Sequence, residues 1–233
     1  MPTTPDGFTK RLARLKADLV EQGRRVQSLL ETAFDSLFTR DPAAAENVIR
    51  LDEVIDRVDV ELEKASVALL TDATNEGAKL EPAQLRTVLT IVKINNELER
   101  IADAAVTLAE MVRTRGFPAT MPDTFRVVAN SVVGILRDVN TAFDRSDARL
   151  AKVVLQSEDA VEAFKDAIIR DAEECIAGGR MSVDCAFGLH EIAALCERMA
   201  DHCTNIAEQV IYSASGVIVR QTEGHWVEVP GTA

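Results

Sequence analysis

The sequence feature that most constrains the fold is a five-residue phrase that occurs twice. It reads Glu-Arg-Ile-Ala-Asp at positions 99–103 and Glu-Arg-Met-Ala-Asp at positions 197–201. The copies begin at 99 and 197, an offset of 98 residues, and the same offset relates Ala-Glu at 109–110 to Ala-Glu at 207–208. A long, fixed offset indicates two copies of one structural unit. We therefore expect a duplicated architecture.

Both copies have the pattern of a helix with one buried face. At about 100° per residue, the apolar residues around each copy fall on a single stripe. In the first helix, Glu99 and Asp103 lie roughly opposite the apolar stripe. In the second helix, Glu197 and Asp201 likewise lie opposite the stripe. Each helix is therefore expected to bury its apolar face and to expose a row of carboxylates.

Apolar spacing and turn residues predict six long helices. Apolar residues recur at intervals of three and four, and Pro or Gly separates the segments. The expected helices cover residues 8–38, 42–74, 82–115, 122–143, 147–176 and 182–214. Because aromatic residues make up only 4% of the chain, helix is favoured over sheet.

Short connections favour antiparallel neighbours, so the sequence predicts an all-α fold of two tandem antiparallel three-helix bundles. The first repeat is expected at residues 8–117 and the second at 118–215. The C-terminal tail, 216–233, is too short to fold alone, and both packing on the bundle and mobility remain open for it.

Composition and motif content argue against several classes of function. A net charge of −12 disfavours nucleic acid as a partner, because phosphate backbones are bound by basic patches. No stretch approaches the ~20 apolar residues that span a bilayer, and no signal-peptide pattern is recognised, so we expect a cytoplasmic protein without membrane insertion. The sequence has no Glu-x-x-His motif, no phosphate-cradling glycine loop and no nucleophile motif, which favours a non-enzymatic protein.

Two of the four cysteines lie on the apolar stripe of the last helix. Cys196 and Cys203 are seven residues apart, and we expect them to be small core residues with reduced thiols. The alternative is a zinc site that includes His190 or His202, although no Cys-x-x-Cys spacing supports it.

A purely acidic row follows one side of the second predicted helix. Asp52, Asp56, Asp59 and Glu63 are spaced by four, three and four residues. Like charges at this spacing destabilise a helix by a few tenths of a kcal/mol per pair. Such a row is typical of a cation site, and the alternative is a solvated acidic face.

Paired carboxylates on adjacent helices could supply clusters of oxygen ligands in both repeats. The candidate metal ligands are Asp52, Asp56, Glu99 and Asp103 in the first repeat, and Glu158, Glu162, Glu197 and Asp201 in the second. Oxygen ligands suit hard cations such as Mg²⁺, Mn²⁺, Ca²⁺ or oxidised iron. General acid–base chemistry is the weaker alternative, because the rows point away from the cores and no pocket is indicated.

The second phrase and its continuation resemble the PhoU family of phosphate-uptake regulators. From position 197 to 208 the chain reads E-R-M-A-D-H-C-T-N-I-A-E, which is similar to the family's E-R-I-G-D-H-A-T-N-I-A-E. The similarity covers about residues 8 to 220. The chain departs from the pattern at Ala102 and Ala200, which replace glycines, and at Thr107, which stands where the second copy has Asn205.

The resemblance implies both a function and a set of ligands. It implies metal clusters on the eight carboxylates named above, with Mg, Mn, Fe or Zn as the ion. It further implies a negative regulator of phosphate uptake and phosphate-starvation signalling. Such a protein is an adaptor between the ATPase subunit of the ABC phosphate transporter and a sensor histidine kinase, and we expect a homodimer.

Two other hypotheses remain beside the regulator. One is a metal-binding or metal-storage bundle whose carboxylate clusters are the function, and the other is a purely structural bundle. The two acidic rows also differ, because Lys165 stands roughly where the first repeat has Asp59. If only one cluster binds metal strongly, we expect it to be the first.

Overall fold

The computed structural model describes residues 5–114, 121–222 and 225–229. These residues form seven helices and two strands. The helices are α1 (Pro5–Thr39), α2 (Pro42–Asn75), α3 (Pro82–Thr114), α4 (Asp123–Arg145), α5 (Ala148–Leu155), α6 (Glu158–Ala177) and α7 (Val183–Ser215), and the strands are β1 (Ile218–Thr222) and β2 (His225–Val229).

The predicted all-α architecture of two similar helical units is confirmed. Helices α1, α2 and α3 pack against one another, and α7 packs against α4, α5 and α6 in the second unit. No helix within the described ranges is both long enough and apolar enough to cross a membrane.

The prediction of one unbroken helix over residues 147–176 is wrong. Its two parts, α5 and α6, are separated at Gln156 and Ser157. The backbone N–H groups of these two residues donate to carbonyl oxygens only three residues back, on Val153 and Val154. The Ser157 hydroxyl also bonds to the Val153 carbonyl oxygen, at 3.3 Å. Such bonds tighten and bend a helix, which explains the break.

The start of α2 is set by a cap that the sequence predicts. Asp41 precedes Pro42, and its Oδ1 accepts hydrogen bonds from the backbone N–H groups of Ala43 at 2.8 Å and Ala44 at 3.2 Å. These are donors that the first turn of a helix otherwise leaves unpaired, and proline at the first helical position has no donor to lose.

The apolar stripes of α3 and α7 lie at the centre of a continuous hydrophobic core. Cys196 and Cys203 belong to it, with 2% and 0% of their surface exposed, so the prediction that they are core residues is confirmed. Burial raises the pKa of the Cys196 thiol to about 12 and also raises that of Cys203. Both thiols are therefore neutral packing groups.

The two units contact each other through α3 with α7 and through α1 with α4. In the second contact, the side-chain amide of Asn140 donates to the backbone carbonyl oxygen of Gly23 at 3.0 Å. A Cβ atom at Gly23 would lie 2.5 Å from Asn140 Oδ1. The absence of a side chain at Gly23 therefore permits this approach between the units.

The described part of the C-terminal tail forms a β-hairpin that packs on the helices, one of the two possibilities that the sequence analysis leaves open. Strands β1 and β2 pair as an antiparallel hairpin, and β1 packs on α7 with Val219 only 3% exposed. Ion pairs join Arg220 to Glu208 of α7 and Glu228 to Lys152 of α5. Burial of Val219 and these two ion pairs thus hold the hairpin against the helices of the second unit.

Candidate functional site

The four carboxylates predicted in the first repeat come together where α2 faces α3. Partial burial raises the pKa of Asp52, and the negative charges of Asp56, Asp103 and Glu99 raise it further, to about 6. Charges act in this way only when they lie close together. The structure therefore brings these four side chains into one acidic cluster, called the first cluster below.

Asp59 lies beside the first cluster and is fixed to α3. The side-chain amide of Asn95 donates to the Asp59 backbone carbonyl oxygen at 3.0 Å and to Asp59 Oδ1 at 2.6 Å. Burial raises the pKa of Asp59, as do the charges of Glu63 and Asp56. The acidic row predicted on α2 thus extends the first cluster along the contact between α2 and α3.

Electrostatic repulsion from the neighbouring carboxylates also acts on Glu99. Its pKa is raised by burial and by Asp103, Asp59 and Asp56, while Arg100 partly offsets the shift. The net upward shift means that one arginine does not neutralise the first cluster. The cluster therefore keeps an excess of negative charge that a cation would balance.

A buried carboxylate oxygen without a hydrogen-bond partner indicates whether the first cluster could fit a metal ion. Asp52 Oδ1 is buried and has no hydrogen-bond partner within the described structure, a costly arrangement that a bound cation would relieve. An all-oxygen ligand set suits a hard cation. No three acidic, imidazole or thiol groups of the described residues are close enough to hold one ion as they stand. Binding would therefore require the carboxylates to move closer together, and the side chains of Asp56 and Asp103 are exposed.

The second repeat brings three of its predicted ligands together, but with a lysine among them. Glu162, Glu197 and Asp201 line a small cleft of about 150 Å³ between α6 and α7. Lys165 Nζ donates to both carboxylate oxygens of Glu197, at 2.8 and 2.7 Å. The side chain of Glu158, the fourth predicted ligand, lies outside the described residues, and only its backbone is placed, at the start of α6.

Lys165 gives the second cluster an internal counter-ion. Burial and the charge of Glu197 raise the pKa of Asp201, whereas Lys165 and His202 act in the opposite direction. Because the ammonium group already occupies both oxygens of Glu197, a metal ion would have to displace it. The second cluster therefore does not fit a metal ion as it stands. Stronger binding by the first cluster stays a prediction.

Sequence reasoning missed a polar cluster between the two units. His202 Nδ1 lies 2.8 Å from Glu97 Oε2, and the side-chain amide of Asn205 donates to the same oxygen at 3.1 Å. Burial acts to raise the pKa of Glu97, but these two contacts, together with the charge of Arg100, outweigh it and the pKa falls. The alternative of a zinc site is not supported, since His202 pairs with a carboxylate and its cysteine neighbour Cys203 lies in the core.

Comparison with known proteins connects this geometry to a family. The family model of the PhoU domain matches the chain twice, over residues 19–112 and 125–210. The chain belongs to the PhoU family. The two matches enclose the first and second acidic clusters respectively, so each PhoU domain carries one cluster.

Named PhoU relatives are similar over most of their length. The chain is 29% identical to the phosphate-specific transport system accessory protein PhoU homolog 1 of Thermotoga maritima, over 90% of this chain and 89% of that protein. It is 27% identical to the PhoU homolog of Pseudomonas putida, which bears the same accessory-protein name, over 97% of this chain and 88% of the relative.

Solved PhoU structures share the fold. The phosphate transport system regulatory protein PhoU from Streptococcus pneumoniae superposes with a TM-score of 0.83 at 21% identity, over 92% of this chain and all of that one. PhoU from Pseudomonas aeruginosa superposes with a TM-score of 0.80 at 24% identity, over 90% of this chain and 99% of the other. These likenesses show that the arrangement of the two helical units is that of PhoU.

Proposed function

We propose that this protein is a cytoplasmic, non-enzymatic negative regulator of phosphate uptake. The observation that carries the proposal is the match of both helical units to the PhoU domain. The named relatives are accessory proteins of a phosphate-specific transport system. In this role the protein links the ATPase subunit of an ABC phosphate transporter to a sensor histidine kinase, and it holds the kinase in its inhibiting mode when phosphate is sufficient.

We propose further that the first cluster holds a cation. Asp52, Asp56, Glu99 and Asp103 would supply the oxygen ligands, for which Mg²⁺, Mn²⁺ and oxidised iron are better matched than Zn²⁺. The support is the orphaned Asp52 oxygen together with the mutual repulsion of the four carboxylates. A bound ion supplies positive charge there, so that α2 and α3 can remain in contact along an acidic face.

The regulatory role can be tested in the organism that makes this protein. We expect deletion of the gene to raise phosphate uptake and the expression of phosphate-starvation genes in phosphate-rich medium. An intact gene copy should restore the basal level. Unchanged uptake and starvation-gene expression after deletion would contradict the proposal.

The adaptor role requires physical contact with partner proteins. We expect the purified protein to capture the transporter ATPase and the cytoplasmic part of the kinase when each is supplied separately. Light scattering on the same preparation would report whether the protein is the expected homodimer. Failure to capture either partner would leave a regulator that does not act as an adaptor.

The first cluster also supports a second function, a metal-storage protein. Its carboxylates are placed to attract cations whether or not any partner is present. A storage protein would load several ions per chain, release them under chelation or reduction, and leave phosphate uptake unchanged on deletion. The deletion phenotype therefore separates the two functions.

A further inference from the structure

The two helical units enclose a cleft that is separate from both acidic clusters. It lies between α3 and α7, is bounded on one side by β1, and has a volume of about 430 Å³. All eight residues that line it are polar or charged: Lys93, Asn96, Glu97, Arg100, Asn205, Glu208, Gln209 and Arg220. None of the eight predicted metal ligands is among them.

Three cations converge on this cleft from two elements. Lys93 and Arg100 are two helical turns apart on α3, about 10 Å along its axis, and Arg220 faces them from β1. Within the described part of the chain, neither Lys93 nor Arg100 makes a hydrogen bond or an ion pair at contact distance. Arg100 does lie near enough to Glu97 and Glu99, and Lys93 near enough to Glu208, for their charges to interact. Arg220 uses a single nitrogen, Nη1, both for Glu208 and for the Val219 carbonyl oxygen.

The two carboxylates in the cleft already have partners. Glu97 Oε2 accepts a hydrogen bond from the side-chain amide of Asn205 and lies 2.8 Å from His202 Nδ1. Glu208, only 9% exposed, is ion-paired with Arg220. The lining of the cleft thus carries three cations and two carboxylates, on a chain whose net charge is −12.

A larger groove on the molecule provides a comparison, because its arginines are all ion-paired. It lies between α1 and α2 and has a volume of about 620 Å³. Each arginine in it is ion-paired with an acidic residue: Arg11 with Asp72, Arg14 with Asp18 and Arg25 with Glu21. Every arginine in that groove therefore has a carboxylate at contact distance, whereas Lys93 and Arg100 in the cleft between the units have none within the described residues.

We propose that the cleft between α3 and α7 binds inorganic phosphate. The guanidinium of Arg100 can bond two phosphate oxygens at once, and the ammonium of Lys93 adds a point charge. The side-chain amides of Asn96, Asn205 and Gln209 supply neutral donors. A wholly polar lining has no aromatic or aliphatic surface on which a base could stack, so the ligand is an inorganic anion rather than a nucleotide.

This site goes beyond the regulatory function and does not depend on it. Phosphate in the cleft would contact α3 of the first unit, α7 of the second and the β1 strand together. Binding would thereby link the two units and the hairpin through one ligand. A titration of the isolated protein involves no transporter or kinase, so its failure and the failure of the regulatory function are separate results.

The test is calorimetric titration of the full chain with inorganic phosphate, with EDTA in the buffer so that no metal ion bridges the anion. We expect saturable binding that Lys93→Gln and Arg100→Gln each weaken by roughly tenfold or more, as expected for loss of a charged hydrogen bond. Arg14→Gln removes the same charge from the α1–α2 groove and should leave binding unchanged. Arg100→Lys, which keeps the charge but loses the bidentate geometry, should lie between the wild type and Arg100→Gln.

Three results would overturn the proposal. The first is the absence of binding at phosphate concentrations up to about 10 mM. The second is an equal loss of affinity in Arg14→Gln and Arg100→Gln, since any positive charge would then suffice. The third is tighter binding of adenosine monophosphate than of inorganic phosphate, because the base would then contribute. Circular dichroism of each variant confirms that these exposed substitutions leave the helices intact.

Discussion

The residue beside each acidic cluster carries the opposite charge in the two repeats. In the first repeat, Asp59 adds negative charge next to Glu99. In the second repeat, Lys165 stands at the corresponding place and binds both oxygens of Glu197. In the first cluster no cation bonds to the carboxylates within the described residues, whereas in the second a lysine already occupies both oxygens of Glu197. The sequence predicts this difference, because alignment of the two repeats places Lys165 roughly where the first repeat has Asp59.

Replacing this lysine should make the second cluster resemble the first. Lys165→Asp removes the counter-ion of Glu197 and adds a carboxylate, so we expect the variant to bind one additional divalent cation. Titration of the variant and the wild type with Mn²⁺ measures the change. Lys152→Asp, on the neighbouring helix α5, is a control with the same change of charge. Equal Mn²⁺ binding by Lys165→Asp and the wild type would show that Lys165 does not limit the site.

The raised pKa of Asp52 predicts a pH-dependent effect on stability. Its folded-state pKa is about 6, above the ~3.9 of an unfolded chain, so the folded state holds this proton more tightly. The stabilisation from that proton is complete below about pH 4 and is lost as the pH rises through about 6. We therefore expect Asp52→Asn to exceed the wild type in unfolding free energy at pH 7 but not at pH 4.

The size of this effect follows from the shift and the exposure of the side chain. Two pKa units would correspond to about 3 kcal/mol, but Asp52 is partly exposed and solvent screening reduces this to the order of 1 kcal/mol. Urea denaturation in EDTA at both pH values measures the difference. A difference between variant and wild type that is the same at pH 4 and pH 7 would contradict the assignment.

At the scale of elements, helix boundaries depend on local caps. Asp41 is exposed, and its side chain accepts hydrogen bonds from the first turn of α2. We expect Asp41→Ala to lower the unfolding free energy by about 1 kcal/mol and Asp41→Asn to lower it much less, because asparagine caps nearly as well. Urea denaturation of the three proteins measures this. Equal losses for alanine and asparagine would show that charge, rather than capping, sets the contribution.

Elements were predictable where their signal is local. Asp41-Pro42 marks the start of α2 in the sequence itself. The sequence does not predict the break at Gln156 and Ser157, because a serine inside an apolar helical pattern is compatible with a continuous helix. Here the Ser157 hydroxyl donates to the Val153 carbonyl oxygen. The β1–β2 hairpin was also missed, because two five-residue strands depend on contacts with the helices rather than on propensity.

At the scale of the whole molecule, the repeat predicts two units but not how they meet. Glu97 and His202 are 105 residues apart, and no spacing in either helix indicates their contact. The cleft between α3 and α7 arises from the same packing. The first acidic cluster is easier to predict, because it consists of pairs four residues apart on helices adjacent in the chain.

The contact between the units at Gly23 can be tested with a double-mutant cycle. In a helix interior, Gly→Ala normally adds up to about 1 kcal/mol of stability. Here the new Cβ would displace the Asn140 amide and break its hydrogen bond, worth about 1 kcal/mol. We therefore expect Gly23→Ala to bring no gain in the wild type but a gain of roughly 1 kcal/mol in an Asn140→Ala background. Additive effects would show that the two residues do not interact.

The central claim is that the first acidic cluster binds a cation, whereas in the second cluster Lys165 occupies Glu197 and prevents this. Elemental analysis of protein purified without chelator tests it most directly. The comparison is among the wild type, a variant with Asp52, Asp56, Glu99 and Asp103 changed to alanine, and a variant with Glu162, Glu197 and Asp201 changed to alanine. We predict stoichiometric metal in the wild type and in the second variant, and its loss in the first. Substoichiometric metal in all three proteins, or loss only in the second variant, would contradict the claim.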